Sequence, residues 1–558
     1  MSGQVSFGRL AGQHSDGGGG SGAFRILVMG DFSARAARGV REGLAGRKRI
    51  GVDVDNWERV LGSFGAEVRI PAGEGEIVLA PKEIDDFHPD WLYSKLEVFR
   101  ALRDLRQRLM DGSTFKSAAD EVRSWAADST HGQDSTLGQH GQVLGTPNGD
   151  AHATHGQDAH ATHGQDAHAT HGQDAHATPA GQAQGEADLL GRLLGQRPAG
   201  ADAADSGAPK GASMAAGASG RTAAGAADSL IRGIVGPYIV PDRDKEQSAL
   251  VACVDKAVAE QMRRILHHPN FQALEAAWRG VQRLVTHLET DEDLRLAVMD
   301  VSKDELSADV LAVDDLQTTA VYDLLVAQTL GTQGSKPWSV LCAAFAFDKT
   351  VLDAAVLGRL SKIVHAARAP LVAGAADRVA GCQSIAAEPD PRQWTWRPDA
   401  DAEAAWDTLR SLPEANWVAL GLPRILMRQP YGQLSDPVDG FDFEEIDAGS
   451  THEDYLWGCA SFALAEALGA AFADQSWDMA AEMFHDVIDL PAHIYRDADG
   501  DRQVKPCAEV CLTDRAAQAI QDRGLTALLS VQGQNVIRIR GIAAVAEPVA
   551  ALAGPWGG

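Results

Sequence analysis

Apolar residues recur at intervals of three and four along Ile265–Leu288. Phe271, Leu274, Trp278, Val281, Leu284, Val285 and Leu288 make one wide stripe, which predicts an amphipathic helix in need of a partner surface. Pro269 cannot extend a helix ending at His267–His268 but suits the first turn of a new one, so the chain is expected to bend there and restart. A second stripe, Leu92, Leu96, Phe99, Leu102, Leu105 and Leu109, follows Pro89 in the same way. Phe24–Met29 is a short continuous apolar run closed by Gly30–Asp31, the pattern of a buried strand. Strand-like runs at Ile50–Val54, Glu67–Ile70 and Glu76–Leu79 flank a helical stretch around Asn56–Phe64. Residues 1–115 therefore read as a small α+β unit, with the alternating Gln4–Leu10 as an added strand.

The pattern resumes near Ser229 as helical stripes at Leu250–Leu266 and Phe271–Leu288. They are followed by a strand at Leu294–Val301, a helix from Glu305 to Leu330, a strand at Trp338–Phe347, a helix at Val351–Ala367 and a strand at Pro370–Ala373. This alternation predicts an α/β domain over 229–558 with a mostly parallel sheet. Beyond Trp417–Met427 and a helix at Tyr455–Phe472, strand-like runs at Ala508–Leu512, Ala527–Val531 and Val536–Arg540 predict a β-rich end piece. Between the two parts, residues 116–228 are mostly Ala, Gly, Asp, His and Gln, too poor in large apolar side chains to offset the entropy of ordering, and are expected to be a disordered linker. Within it the unit HGQDAHAT recurs at His155, His163 and His171. Ala187–Gln196 places Leu189, Leu190, Leu193 and Leu194 on one face of what reads as a short recognition helix.

Composition narrows the function classes. A net charge of −27 argues against nucleic acid or an anionic membrane as partner, since both are held by clustered Lys and Arg. No apolar run reaches the roughly 18 residues of a membrane span, and the first residues lack a basic-then-apolar leader. Six scattered cysteines, none before Cys253, suggest free thiols in a reducing cytoplasm.

Catalytic and cofactor motifs fail on context. Gly17–Gly22 satisfies G-x-G-x-x-G, but its strand follows the loop instead of preceding it, so a plain glycine-rich loop is expected. The acidic DADGD at 497–501 has its glycine at the fourth position of a would-be calcium loop, which suits a hairpin turn. Cys507 and Cys511 lack a second ligand pair for zinc and read as buried free thiols; Glu444 and Glu445 read as a solvated acidic loop. Nine of the eighteen histidines lie between His131 and His176, where zinc or nickel binding is conceivable, although a repeat without fixed geometry reads first as an expanded linker. No catalytic residue, metal site or cofactor is assigned.

Two separate parts of the chain resemble two partner subunits of one machine. FRILVMGDFS at Phe24–Ser33, RKRIGVDVDNWERV at Arg47–Val60 and DDFHPDWL at 85–92 resemble the small subunit of the type VI secretion contractile sheath. His267–Val285, LPRILMRQPY at Leu422–Tyr431, PVDGFDFEE at Pro437–Glu445, HEDYLWGCASF at His452–Phe462 and LPAHIY at Leu490–Tyr495 resemble the large subunit, in family order. The resemblance implies a fused structural protein, not an enzyme, that self-associates or joins other sheath subunits, with an inner-tube protein, a baseplate and an AAA+ unfoldase as further partners. It also implies that the small subunit's N-terminal strand, with Gln4–Leu10 as candidate, pairs with a neighbouring protomer. The family's large subunit continues past the piece ending near Val545 with helices and a terminal strand that this sequence does not show before Gly558.

On this reading Phe271 and Trp278 anchor the helix pair, and Trp57 and Phe99 anchor the small unit. Arg424, Arg428 and Tyr431 are expected to make contacts between the parts, Trp457 packs, and Leu189–Leu194 is the candidate unfoldase-recognition helix. The alternatives are an accessory or cap protein that joins a sheath without propagating it, and an α/β binding protein with a metal-binding His linker.

Overall fold

The computed structural model describes residues 5–10, 20, 22–72, 75–131, 247–330, 334, 336–482, 484–496 and 500–556. The His repeats, Leu189–Leu194 and residues 497–499 lie outside them. The chain forms two compact units. One comprises Met1–Ile70, Ile77–Asp104 and Val254–Gly558; the other comprises Pro71–Glu76 and Leu105–Cys253. In the second, the helix Phe115–His131 carries Glu121, which pairs with Arg108.

Fifteen strands occur among the described residues. In the N-terminal part they are β1 (Phe24–Gly30), β2 (Ile50–Val52), β3 (Val68–Ala72) and β4 (Gly75–Leu79). The remaining eleven are β5 (Leu294–Asp300), β6 (Val340–Phe347), β7 (Leu371–Ala375), β8 (Val418–Leu422), β9 (Ile425–Leu426), β10 (Trp457–Gly458), β11 (Phe484–Val487), β12 (Ile494–Arg496), β13 (Arg502–Val504), β14 (Thr526–Ser530) and β15 (Ile537–Arg540).

Nine of them form one sheet in the order β11-β15-β14-β8-β7-β6-β1-β5-β2. The first strand of the N-terminal part thus lies inside the sheet of the 229–558 part. β1 pairs parallel with β5 over seven residues, Phe24↔Leu294 to Gly30↔Asp300, and parallel with β6 from Ile26↔Val340 to Met29↔Ala343. Its run of apolar side chains explains the placement: a strand buried on both faces is what the interior of a parallel sheet requires. β2 closes one end antiparallel to β5, and the strand-rich C-terminal region continues the same sheet, β14 parallel to β8 and β15 antiparallel to β14.

Helices alternate with these strands along the chain. The principal ones are α1 (Trp57–Ser63), α2 (Pro89–Lys95), α3 (Glu97–Met110), α4 (Phe115–His131), α5 (Gln247–Leu266), α6 (Pro269–His287), α7 (Lys303–Leu311), α8 (Val351–Ala367), α9 (Ala400–Arg410), α10 (Ser461–Gln475) and α11 (Asp514–Gln521). The bend expected at Pro269 is present: α6 starts there with Pro at its first turn, and the His268 side chain caps it by accepting from the Asn270 N–H. His88 does the same for α2 through the Asp90 N–H.

Three local expectations are corrected. The helix expected from Glu305 to Leu330 stops at Leu311 and restarts at Ala320, because the Asp309 carboxylate accepts from the Ala320 and Val321 N–H groups and Thr319 caps the new turn. The helix expected from Tyr455 starts only at Ser461, since Trp457–Gly458 is used as β10. Ala508–Leu512 is not a strand: Glu509 sits at φ 49°, which breaks extended backbone, and Cys511 is exposed while Cys507 is buried.

Candidate assembly core

The chemistry of the fold is concentrated where residues 24–104 meet residues 254–546 inside the first unit. After β1 the chain turns on Asp31, whose carboxylate accepts from the Arg35 and Ala36 N–H groups at 2.6 and 2.9 Å. Phe32 then lies against Trp278 of α6 at 4.9 Å between ring centroids, and the Trp278 indole N–H donates to the Phe32 carbonyl at 2.9 Å. A buried indole whose one donor is satisfied contributes packing area without an unpaired polar group. Next, Ser33 donates through its N–H and hydroxyl to Asp300 at the end of β5, at 3.1 and 2.7 Å.

Further along the sequence, Arg35 and Arg47 both reach Glu305, the third residue of α7. Glu305 also accepts from the Glu42 and Ser302 N–H groups, so its buried side chain is saturated by donors. Burial pushes this carboxyl up, but Arg35, the two backbone donors and Arg47 prevail and hold it at about 2.

A second ion-pair cluster lies next to His88 at the start of α2. Arg428 donates to Glu275 at 2.8 Å and, bidentately, to Glu445 at 2.6 and 2.9 Å. Its guanidinium stands 4.1 Å from the Tyr431 ring centroid. Arg279 joins Glu275 at 2.7 Å and the Tyr431 hydroxyl at 3.2 Å, and the Tyr431 N–H donates to Glu445. Burial raises the Glu445 carboxyl, yet the Arg428 charge outweighs it and holds the group down at about 2. Glu445 was expected in a solvated loop; it is 1% exposed, because its partner Arg428 is itself buried and needs two carboxylates.

The N-terminal part grips this cluster from outside. His88 meets the Tyr431 ring edge-on at 4.7 Å, and Phe87 packs on Phe271 at 5.4 Å. Asp90 accepts from the Asp439 and Gly440 N–H groups at 3.1 and 2.8 Å, while Tyr93 packs on Phe441 at 4.6 Å. A Cβ on Gly440 would come within 2.8 Å of the Tyr93 ring, so this close approach needs glycine.

A third cluster surrounds Arg424, which donates to Glu453 at 2.9 Å and to Glu509 at 2.6 to 2.9 Å. His452, Glu453 and Glu509 bring three possible ligand atoms within 4.8 Å of one another. Arg424 already bridges both carboxylates, and the Lys505 ammonium lies 3.3 Å from His452 Nδ1. A divalent cation between these groups would have to displace the Arg424 guanidinium against the nearby Lys505 charge, so the arrangement reads as an ion-pair cluster.

The residues singled out in the sequence fall as follows. Trp278, Phe271 and Tyr431 touch the N-terminal part directly; the carboxylate partners of Arg424 and Arg428 all lie within 229–558. Phe99 packs on Tyr93 at 5.7 Å, and Trp57 is buried at the start of α1. Trp457 stacks on His452 at 4.8 Å and donates to its carbonyl. Sequence reasoning missed Arg35, Arg47, Asp300, Glu305, Glu275 and the buried pair of Arg283 with Glu466, at 2.6 Å. The capping box Ser302-x-x-Glu305 was the one available signal.

Acid should dismantle this core in a defined window. Glu305 and Glu445, ordinarily near 4.5, sit at about 2 in the folded chain, so their contribution is full above about pH 4.5 and is lost as pH falls through about 2. Urea midpoints measured from pH 5 to pH 2 are expected to drop, and the drop to shrink in a Glu305→Gln/Glu445→Gln variant. An equal drop in both proteins would rule these carboxylates out as its source.

The fold is thus a mostly parallel sheet built around a strand donated by the N-terminal part, with buried ion pairs where the two parts meet. The family model described as VipB: EvpB/VC_A0108, tail sheath N-terminal domain, matches residues 248–546, and that described as T6SS_VipA: type VI secretion system, VipA, VC_A0107 or Hcp2, matches residues 23–124. The chain belongs to the VipB tail sheath family and carries a VipA-type segment in the same polypeptide. It is 30% identical over 312 residues to the type VI secretion system sheath protein TssC1 of Pseudomonas aeruginosa, a match covering 55% of this chain and 63% of that relative.

Proposed function

We propose that this chain is a structural component of a type VI contractile sheath, acting by protein–protein assembly and not by catalysis, in the bacterial cytoplasm. The observation that carries the reading is the seven-residue parallel pairing of β1 with β5, which joins the first strand of the VipA-type segment to the sheet of the VipB-type segment. Joining them in one polypeptide sets their ratio at one to one and replaces a bimolecular encounter by an intramolecular one at an effective concentration set by the connecting chain. Supporting the reading, among the described residues no helix is long and apolar enough to cross a membrane. Copies of the chain, or of separate sheath subunits, are the proposed primary partners; an inner-tube protein, a baseplate and an AAA+ unfoldase follow from the sheath role.

Negative-stain electron microscopy of the purified protein tests this. Tubes of regular diameter are expected as concentration rises. Particles that stay monomeric or dimeric, alone and with separately expressed sheath subunits, would overturn it.

A further inference from the structure

Positive charge collects without an ionic partner where the turn after β7 meets the C-terminal end of α11. The short turn Asp377–Ala380 ends at Gly381, held at φ +89°, a conformation that favours glycine. At the point where a Cβ on that glycine would lie, Arg397 Nη1 and Arg523 Nη2 both stand 3.6 Å away, and Arg523 Nε stands 3.8 Å away. Two guanidinium groups from distant parts of the chain thus face one small space. Among the described residues neither of them pairs with a carboxylate. Arg397 donates to the Trp394 and Trp396 carbonyls at 3.5 and 2.7 Å, and Arg523 to the Ala519 carbonyl at 2.5 Å. In an acidic chain carrying 77 Asp and Glu against 50 Lys and Arg, two converging arginines without a carboxylate partner call for an explanation.

The surroundings hold these groups in place. The Arg523 guanidinium stands 5.7 Å from the ring centroid of Trp394, a buried residue fixed by its indole N–H, which donates to the Glu388 carbonyl at 2.7 Å. Arg410, at the end of α9, adds a third positive charge. Its outer nitrogen reaches Glu547 and the Ala546 carbonyl, while its Nε is buried without an acceptor among the described residues. Burial and the charge of Arg397 push the Arg523 guanidinium down from its ordinary value, Arg410 adds to this, and the neighbouring Asp522 carboxylate does not restore it. Asp377 and Glu388 are close enough to act on the Cys382 thiol beside Gly381, yet neither pairs with Arg397 or Arg523. Arginine forks match the oxygens of carboxylates and phosphates. One carboxylate would balance one of these charges, whereas a phosphate group brings up to about two negative charges and three acceptor oxygens and can serve both forks together.

We propose that Arg397 and Arg523, with Arg410 beside them, form a binding site for a phosphate group, free or carried on a small phosphomonoester. The site stands apart from the assembly role, since none of its residues belongs to the three ion-pair clusters described above.

Equilibrium dialysis of the full-length chain against inorganic phosphate, with ionic strength held constant by sodium chloride, tests this. Saturable uptake of one phosphate per chain is expected, weakened at least ~10-fold in Arg397→Gln and in Arg523→Gln, the factor that goes with losing a charge-assisted hydrogen bond. Acetate at the same ionic strength should not compete. Glycerol 3-phosphate as competitor separates the two sources: displacement at lower concentrations than inorganic phosphate needs would assign the group to a phosphomonoester, and weaker displacement would assign it to the free anion. Urea midpoints guard against a folding defect. Arg397 is exposed, so in phosphate-free buffer Arg397→Gln should be at least as stable as the unsubstituted chain, a repulsion having been relieved, and added phosphate should raise the midpoint of the unsubstituted chain alone. No saturable uptake, equal displacement by acetate, or undiminished uptake by an Arg397→Gln/Arg523→Gln chain would overturn the site. So would a loss of stability in Arg397→Gln without phosphate, which would give that arginine a packing role instead.

Discussion

Made without residues 1–115, the 229–558 part is expected to be insoluble, and to become soluble when residues 1–115 are produced beside it as a separate chain. β1 stands between β5 and β6, and β2 on the far side of β5 is lost with it, so the removal opens an unpaired edge on β6 and leaves β5 without a neighbour. It also removes Phe24, Ile26, Leu27, Val28 and Met29, each essentially fully buried. At roughly 1.5–3 kcal/mol per side chain these five contribute on the order of 8–15 kcal/mol, as large as the whole stability of a typical domain. No rearrangement of surface residues offsets a loss of that size. The measurement is the soluble fraction and the unfolding cooperativity of each preparation. A soluble 229–558 part with a cooperative transition of its own would sink the claim that the sheet requires β1.

Arg428→Ala is expected to cost about 3–5 kcal/mol, read from urea unfolding curves at pH 7. The loss comes less from the missing bonds than from what remains: Glu275 and Glu445, both buried, face each other's environment without the guanidinium that compensates them. The sign of the pH response follows. Without Arg428 the Glu445 carboxyl is no longer held at about 2 and burial drives it upward, so the variant should regain relative stability on acidification from pH 7 to 5, where the carboxyls take up protons. Converting Glu445 to Gln in the Arg428→Ala background should recover part of the loss at pH 7. A deficit below about 1 kcal/mol, or one that does not change with pH, would show that the cluster is solvated.

The elements of this fold were largely legible in the sequence, and their neighbours were not. Phe24–Met29 reads as a buried strand because its apolar residues are continuous, but nothing in the run says that β5 and β6, some 270 to 320 positions later, are its partners. Parallel pairing carries no local turn signal, unlike a hairpin. Pro269 and Pro89 were readable as helix starts because the constraint is covalent and local. Glu445 was misread for the opposite reason. Beside Glu444 and Asp442 it looks like part of a solvated run, and only the folded chain brings Arg428, seventeen residues back, over its carboxylate. Trp278 was found by its place in an apolar stripe, while its acceptor, the Phe32 carbonyl, is a backbone atom to which residue type gives no clue.

The interior position of β1 also has a consequence for the moment the protein is made. Phe24 leaves the ribosome about 270 residues before Leu294, its partner in β5, and about 320 before Val340, where β6 begins. At roughly 5–20 residues per second the strand waits on the order of 15 to 60 s for the neighbours that will cover it. During that interval a run with five large apolar side chains and one charge has its hydrogen-bonding edges open to any other chain being synthesised nearby. In a protein built from two separately translated subunits the same strand would meet a finished partner; here the order of the gene sets a vulnerable period that lasts until more than half the chain has been translated.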